Sequence, residues 1–242
     1  MLVRLDIPSS SSGEAGFTLI EMLVSMATAL LITFAAFGLL QLVSEQSSRA
    51  TDYLQATQLG NQAMSHIVDE LHSACYATGI SPVFYESSGT DLIFATAYST
   101  SAEPTAAQVQ KHEIKWEEAG GKLVDTEYAA EGTYPTFAFA KTSTKKTTLA
   151  THVEKSTTFF KYYKYSTEAQ ESSESNVGSF TALAAAPSKT EAPTVASVVI
   201  SFRQLPSDGS KAPGRSVELE SQVTFAFGAP IAETKIVNGP CE

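Results

Sequence analysis

Residues 16–21 read GFTLIE, and the apolar run that follows them, residues 22–43, contains no charged side chain. As an α-helix this run would be about 33 Å long, which is enough to cross a bilayer core of about 30 Å. One acid, Glu21, stands at the start of the run. Because a carboxylate at membrane depth costs about 2.5–3.5 kcal/mol, such a residue is a functional-site hypothesis.

The small residues that precede the apolar run, at residues 13–16, indicate where the chain would be cut. An ordinary secretory signal has a shorter apolar region of about 7–15 residues, and its cleavage site follows that region. Here cleavage would leave the hydrophobic helix on the mature protein. We therefore interpret residues 1–16 as a removable leader and residues of about 20–43 as a transmembrane anchor.

The hexapeptide and its helix resemble the signal of the type IV prepilin family. The resemblance implies that a prepilin peptidase cuts between Gly16 and Phe17 and that Phe17 is then N-methylated. It also implies that Glu21 pairs with the N-terminal amine of a neighbouring subunit during filament assembly. The leader departs from the basic leaders of the family, because it has one arginine and two acids. The N-in orientation is therefore implied by the motif and not by positive charge.

Beyond the anchor, apolar or small residues recur at steps of three or four, which is typical of one buried helical stripe. The stripe consists of Tyr53, Ala56, Gly60, Ala63, Ile67, Leu71 and Ala74. The pattern predicts one long helix over residues 17–77, amphipathic over 44–77, that is about 90 Å long. The alternative is an anchor joined to a separate helix, with a break at Gly38 or Gly60.

From residue 78 the pattern changes to a period of two, which predicts strands. The expected strands lie near residues 92–97, 111–117, 122–128, 198–202 and 217–227. Gly120 and Gly121 form the turn of a hairpin between the second and third. The sequence therefore predicts an α+β fold, in which the long N-terminal helix covers the dry face of an antiparallel β-sheet in a head at residues 78–242. This order of elements also resembles larger minor pilins and pseudopilins.

One segment of the head, at about residues 166–194, is rich in Ser, Glu, Ala, Thr and Pro. It has almost no large apolar residues with which to form a core. We therefore expect it to be a mobile surface loop.

The histidines and acids do not predict a metal site. On the helix, His66 lies four residues before Glu70, and Asp69 lies three before His72, so each pair could offer two ligands. A metal site needs three or four converging groups, and the sequence shows no further cluster near either pair. Catalytic and phosphate-binding motifs are also missing. We expect no metal, no cofactor and no enzymatic activity.

A run of lysines and aromatic residues at 141–165 is a candidate ligand patch. Its proposed members are Lys155, Lys161, Tyr162, Tyr163 and Lys164. Aromatic rings among lysines can stack bases and hold phosphates, as in single-strand binders. However, the chain has a formal net charge of −10, which argues against nucleic-acid binding. The favoured interpretation is a strand whose exposed lysines discourage edge-to-edge pairing.

The chain has two cysteines, Cys75 at the end of the predicted helix and Cys241 near the C-terminus. In an exported domain they can form a disulfide bond, whereas in the cytosol they would stay reduced. We hypothesise an internal bond. Two free thiols or an intermolecular bond are the alternatives, because sequence does not give the distance between the residues.

Together, the residues and the resemblance predict a structural minor pilin or pseudopilin of a type IV pilus, type II secretion or competence filament. The implied partners are other pilin subunits, prepilin peptidase, membrane lipid and an inner-membrane assembly platform. The implied location is the inner membrane, with a single pass and an extracytoplasmic C-terminal domain. Two other classes compete: a tip subunit that binds DNA or a surface through the patch, and a membrane-tethered enzyme, for which we find no site.

Overall fold

The computed structural model describes residues 17–75, 80–99, 107–132, 138–165, 180–183, 186–212 and 214–225. These residues form one long helix, α1, which spans Leu19–His72. The strands are β1 Asp91–Ser99, β2 Ala107–Glu117, β3 Lys122–Glu131, β4 Ala138–Phe139, β5 Lys145–Ala150, β6 Phe160–Tyr165, β7 Phe180–Ala182, β8 Val195–Gln204 and β9 Val217–Thr224. The chain divides into an anchor unit, Met1–Ser48, and a globular unit, Arg49–Glu242.

The anchor unit contains the first part of α1, and its apolar side chains are uncovered. From Phe17 to Val43 the large hydrophobic residues are between 55% and 83% exposed. The most apolar window of the helix has a mean hydropathy of 2.2 and buries none of its residues within the protein. Length and composition are therefore sufficient for this part of α1 to cross a membrane.

In the globular unit, the remaining part of α1 buries one stripe of small and apolar residues. The buried members are Ala56, Gly60, Ala63, Met64, Ile67 and Leu71. This stripe agrees with the sequence pattern except at Tyr53, which is 44% exposed, and at Ala74, which lies beyond the end of the helix. The helix continues through both Gly38 and Gly60, so the alternative of a break at either residue is not seen.

The helix ends at His72 rather than near residue 77. Beyond His72 the backbone pairs with β1 of the first sheet. Ala74 forms a β-bridge with Thr96, and the Cys75 N–H donates to the Ala95 carbonyl at 2.7 Å. These contacts replace the backbone hydrogen bonds that another helical turn would have made.

The strands form two antiparallel sheets. The first has the order β1-β2-β3-β4, with β5 also paired to β3, and the second has the order β7-β6-β8-β9. The predicted α+β fold is confirmed, but the strands are divided between two sheets rather than placed in one. Residues of α1 and of both sheets share one core, which includes Ile67, Leu71, Phe94, Ile114, Leu123, Phe160, Val198 and Ile200.

The predicted hairpin is present between β2 and β3, where Glu117 pairs with Lys122. Its turn uses two glycines with positive φ, Gly120 at 83° and Gly121 at 55°, because side chains disfavour that conformation. Much of the segment at 166–194 lies outside the described residues. Its described part contains β7, which pairs with β6, and a short 3-10 helix at Ala192–Thr194.

Candidate functional site

The N-terminal motif begins α1 with a reciprocal hydrogen-bonded cap. The Thr18 N–H and hydroxyl donate to Glu21 Oε2 at 3.4 and 3.2 Å, and the Glu21 N–H donates back to Thr18 Oγ1 at 3.4 Å. This is the capping-box arrangement, in which a threonine and a glutamate three residues later satisfy free N–H groups at a helix start. A carboxylate in the first turn also interacts favourably with the helix dipole. Phe17 is 81% exposed, and Gly16 lies outside the described residues.

A second group of polar side chains is buried between α1 and the first sheet. His112 on β2 and Asp125 on β3 are 3% and 1% exposed. The imidazole Nδ1 lies 3.1 and 3.2 Å from the two carboxylate oxygens of Asp125. Phe94 stacks on the imidazole at 5.4 Å between ring centroids, so the ring is held on both its edge and its face.

Two side chains of α1 reach this pair from the opposite side. Glu70 Oε2 lies 3.8 Å from His112 Nε2, and His66 Nε2 lies 3.8 Å from Asp125 Oδ2. His66 and Glu70 are four residues apart, so they project from the same face of the helix. The remaining acid, Glu127, pairs with His112 across the strands and binds Lys145 at 2.8 Å.

The acids around His112 determine its protonation. Burial alone lowers the pKa of His112, but the hydrogen bond to Asp125 and the charges of Asp125, Glu70 and Glu127 raise the pKa above its ordinary value. The imidazolium form is therefore favoured, because each ring nitrogen faces a carboxylate.

The sequence shows the helical spacing of His66 and Glu70, but that spacing by itself does not predict a site. Their partners lie on β2 and β3, far along the chain. A signal is present in the strands: His112 is in phase with the inward-facing Ile114, and Asp125 is in phase with the buried Leu123. A polar residue at an inward strand position indicates a buried partner. Of the other predicted pair, His72 is exposed.

The structure does not bring the five residues of the lysine–aromatic patch onto one surface. Tyr162 is 2% exposed, and its hydroxyl donates to the Ser88 carbonyl at 2.7 Å. Adjacent strand residues point to opposite faces, so Lys161 and Tyr163 lie opposite Tyr162. Lys155 lies outside β6 and binds Glu118 at 3.1 Å.

Other lysines of the run at 141–165 are paired with acids of the first sheet. Lys146 binds Glu117 at 2.7 Å, and Lys145 binds Glu127. The strand that carries them, β5, is paired to β3. An exposed lysine edge, the favoured interpretation, therefore fits β5 but not β6, because β6 lies between β7 and β8 in the second sheet.

Cys75 is buried at 1% exposure, beside Ile80, Ala95 and Val109. Cys241 lies outside the described residues. The disulfide bond between them stays a prediction.

The long apolar helix with an acid in its capped first turn, followed along the chain by antiparallel sheets, is consistent with an α+β pilin-like fold. A family model described as the prokaryotic N-terminal methylation motif matches residues 11–37. The N-terminal segment of the chain is therefore prepilin-like. No curated protein and no solved structure was found to match it.

Proposed function

We propose that the protein is a minor pilin or pseudopilin, a structural subunit of a type IV pilus-like filament. The observation that carries this proposal is the methylation motif at residues 11–37, which includes the start of α1. The large apolar side chains there are exposed from Phe17 to Val43. Such a surface needs a cover, which lipid supplies before assembly and neighbouring helices supply in a filament.

The proposed assembly step depends on the first turn of α1. Cleavage between Gly16 and Phe17 creates an amine four residues before Glu21. In a bundle of apolar helices a buried, unpaired carboxylate is costly. The amine of a neighbouring subunit is therefore the partner that we assign to Glu21 in the filament, where it adds to or replaces the cap from Thr18.

This function implies processing by prepilin peptidase and recruitment by an inner-membrane assembly platform. It also implies an extracytoplasmic globular unit. Type IV pili, type II secretion and competence filaments would all use the same N-terminal chemistry. The proposed role is that of a filament subunit in any one of these three systems.

Intact-mass analysis of the protein extracted from membranes tests the proposal. We expect a mature chain that begins at Phe17 and carries one additional methyl group. A Gly16→Leu variant is the matched control, and it should keep residues 1–16, because the peptidase would no longer meet a bare backbone before the cut. A wild-type chain that retains residues 1–16, or one that begins after Val43, would overturn the assignment.

A further inference from the structure

The group of polar side chains between α1 and the first sheet contains more potential metal ligands than the His112–Asp125 pair alone. Within it, His112, Asp125 and Glu127 each offer a ligand atom, and these atoms all lie within 4.8 Å of one another. Asp125 Oδ2 is the common centre, because it lies 3.1 Å from His112 Nδ1 and 3.8 Å from His66 Nε2. Side chains from a helix and two strands thus converge on one point.

The charges of the group are unbalanced. Glu70, Asp125 and Glu127 supply three carboxylates, and Lys145 supplies one fixed cation, bound to Glu127 Oε1. The three carboxylates and Lys145 leave two negative charges. A proton on His112 cancels one of them in the metal-free protein, whereas a divalent cation that displaces this proton cancels both. Asp125 is 1% exposed, so solvent does little to screen its charge.

We propose that His66, His112, Asp125 and Glu127 form a zinc-class metal site, in which Glu70 orients His112. The ligand atoms are His66 Nε2, His112 Nδ1, one oxygen of Asp125 and the Glu127 oxygen not bound by Lys145. Binding displaces the proton that His112 Nδ1 shares with Asp125, and that proton goes to solvent.

The position of Glu70 supports the assignment of Nδ1 as the metal ligand. Glu70 Oε2 lies 3.8 Å from His112 Nε2, the opposite ring nitrogen. A metal-bound histidine usually donates its other N–H to a carboxylate, which fixes the tautomer and the direction of the ring. Glu70 is placed for that role, and it is a positioning residue rather than a ligand.

The donor set selects the class of metal. Two imidazoles and two carboxylates suit Zn²⁺, which takes tetrahedral nitrogen and oxygen ligands at about 2.0–2.2 Å. Calcium and magnesium prefer oxygen ligands alone. Ligand atoms around tetrahedral zinc are about 3.3 Å apart. The atoms of His112, Asp125 and Glu127 lie within 4.8 Å of one another and His66 Nε2 lies 3.8 Å from Asp125 Oδ2, so side-chain rotations must bring them closer around the ion.

Metal binding would join α1 to the first sheet within the globular unit. His66 is on the helix, whereas the other three ligands are on β2 and β3. An ion that binds the folded arrangement stabilises it by mass action. The site therefore predicts a metal-dependent gain in the stability of the globular unit, independent of the filament role.

The test uses the full chain in detergent, purified through a histidine-free tag and stripped with EDTA. Titration with Zn²⁺ should give one bound ion per chain by elemental analysis and a higher unfolding temperature. Titration with Co²⁺ should give the visible absorption of a tetrahedral site. Millimolar Ca²⁺ or Mg²⁺ should not displace the zinc.

Variants separate this site from adventitious binding. Glu70→Gln should weaken zinc binding by about 10–100-fold, and His66→Gln should weaken it at least as much. The control is His72→Gln, on an exposed position of the same helix, which should bind like the wild type. The His66 side chain is 40% exposed, so its replacement leaves the core intact even if a His112 variant does not fold. Absence of bound zinc, or equal affinity in His66→Gln and His72→Gln, would overturn the proposal.

Discussion

At the scale of single residues, the helix cap formed by Glu21 does not conflict with the pairing role that we propose for it. In the isolated chain its carboxylate accepts hydrogen bonds from Thr18, which stabilises the start of α1. A cap of this kind contributes about 0.5–2 kcal/mol. The sequence shows an acid at the start of an apolar helix, and the prepilin resemblance implies that this acid pairs with a neighbouring subunit. The structure shows that Glu21 also caps its own helix.

We predict that Glu21→Val permits processing and membrane insertion but prevents incorporation into filaments. Valine removes the acid, which makes insertion easier, so a remaining defect must lie in assembly. The measurement is the amount of the variant in sheared filaments relative to its amount in the membrane.

Thr18→Val is the matched control for this experiment, because it removes the hydroxyl of the cap and keeps the acid. It should assemble better than Glu21→Val. Filaments that contain Glu21→Val at the wild-type level would show that Glu21 is not the pairing group.

At the scale of elements, Gly60 shows why α1 keeps a glycine in a helical interior. A Cβ at this position would overlap the Leu219 side chain on β9 and lie 3.2 Å from Gln204 Cβ on β8. Glycine costs about 1 kcal/mol relative to alanine in a helix. Glycine is present despite this cost because α1 packs too closely on the second sheet for a larger residue.

We predict that Gly60→Val destabilises the globular unit by about 1–3 kcal/mol, because added carbons must displace packed side chains. Fluorescence of Trp116, the only tryptophan, should show a lower denaturation midpoint. Gly38→Val is the control, since a Cβ at Gly38 meets none of the described residues within 4 Å. Equal midpoints for the two variants would contradict close packing at Gly60.

Elements with a strong local period were predictable, whereas pairings between distant strands were not. The stripe of α1 and the β2–β3 hairpin follow from spacing and from two glycines. By contrast, residues 195–200 of β8 are buried on both faces of the sheet. Apolar and polar residues therefore do not alternate fully along this strand, and the sequence does not show which face is buried. The division into two sheets depends on partners such as β6 and β8, which are more than thirty residues apart.

The buried histidine group was unpredictable for a related reason. The spacing of His66 and Glu70 is a local property, which sequence shows directly. Their convergence with His112 and Asp125 requires the packing of α1 on the first sheet and the register of β2 against β3. The sequence therefore shows that His66 and Glu70 are close on the helix, but it does not show that they meet His112 and Asp125.

At the scale of the whole molecule, the cysteines could connect the end of α1 to the C-terminus. Cys75 follows the helix directly, and its N–H donates to β1, so it is fixed where helix and sheet meet. Cys241 is the penultimate residue. A bond between them would close a loop of about 165 residues and stabilise the fold by up to about 5 kcal/mol in the chain-entropy model.

We predict one intramolecular Cys75–Cys241 bond in the mature protein, because the proposed function places the globular unit outside the cytoplasm, in an oxidising compartment. Thiol labelling under denaturing, non-reducing conditions should modify no cysteine, and labelling after reduction should modify two. Cys75→Ser and Cys241→Ser are matched controls, each expected to expose one thiol. Reduction should also lower the unfolding temperature of the globular unit. Two labelled thiols in the unreduced protein, or a covalent dimer on a non-reducing gel, would contradict the internal bond.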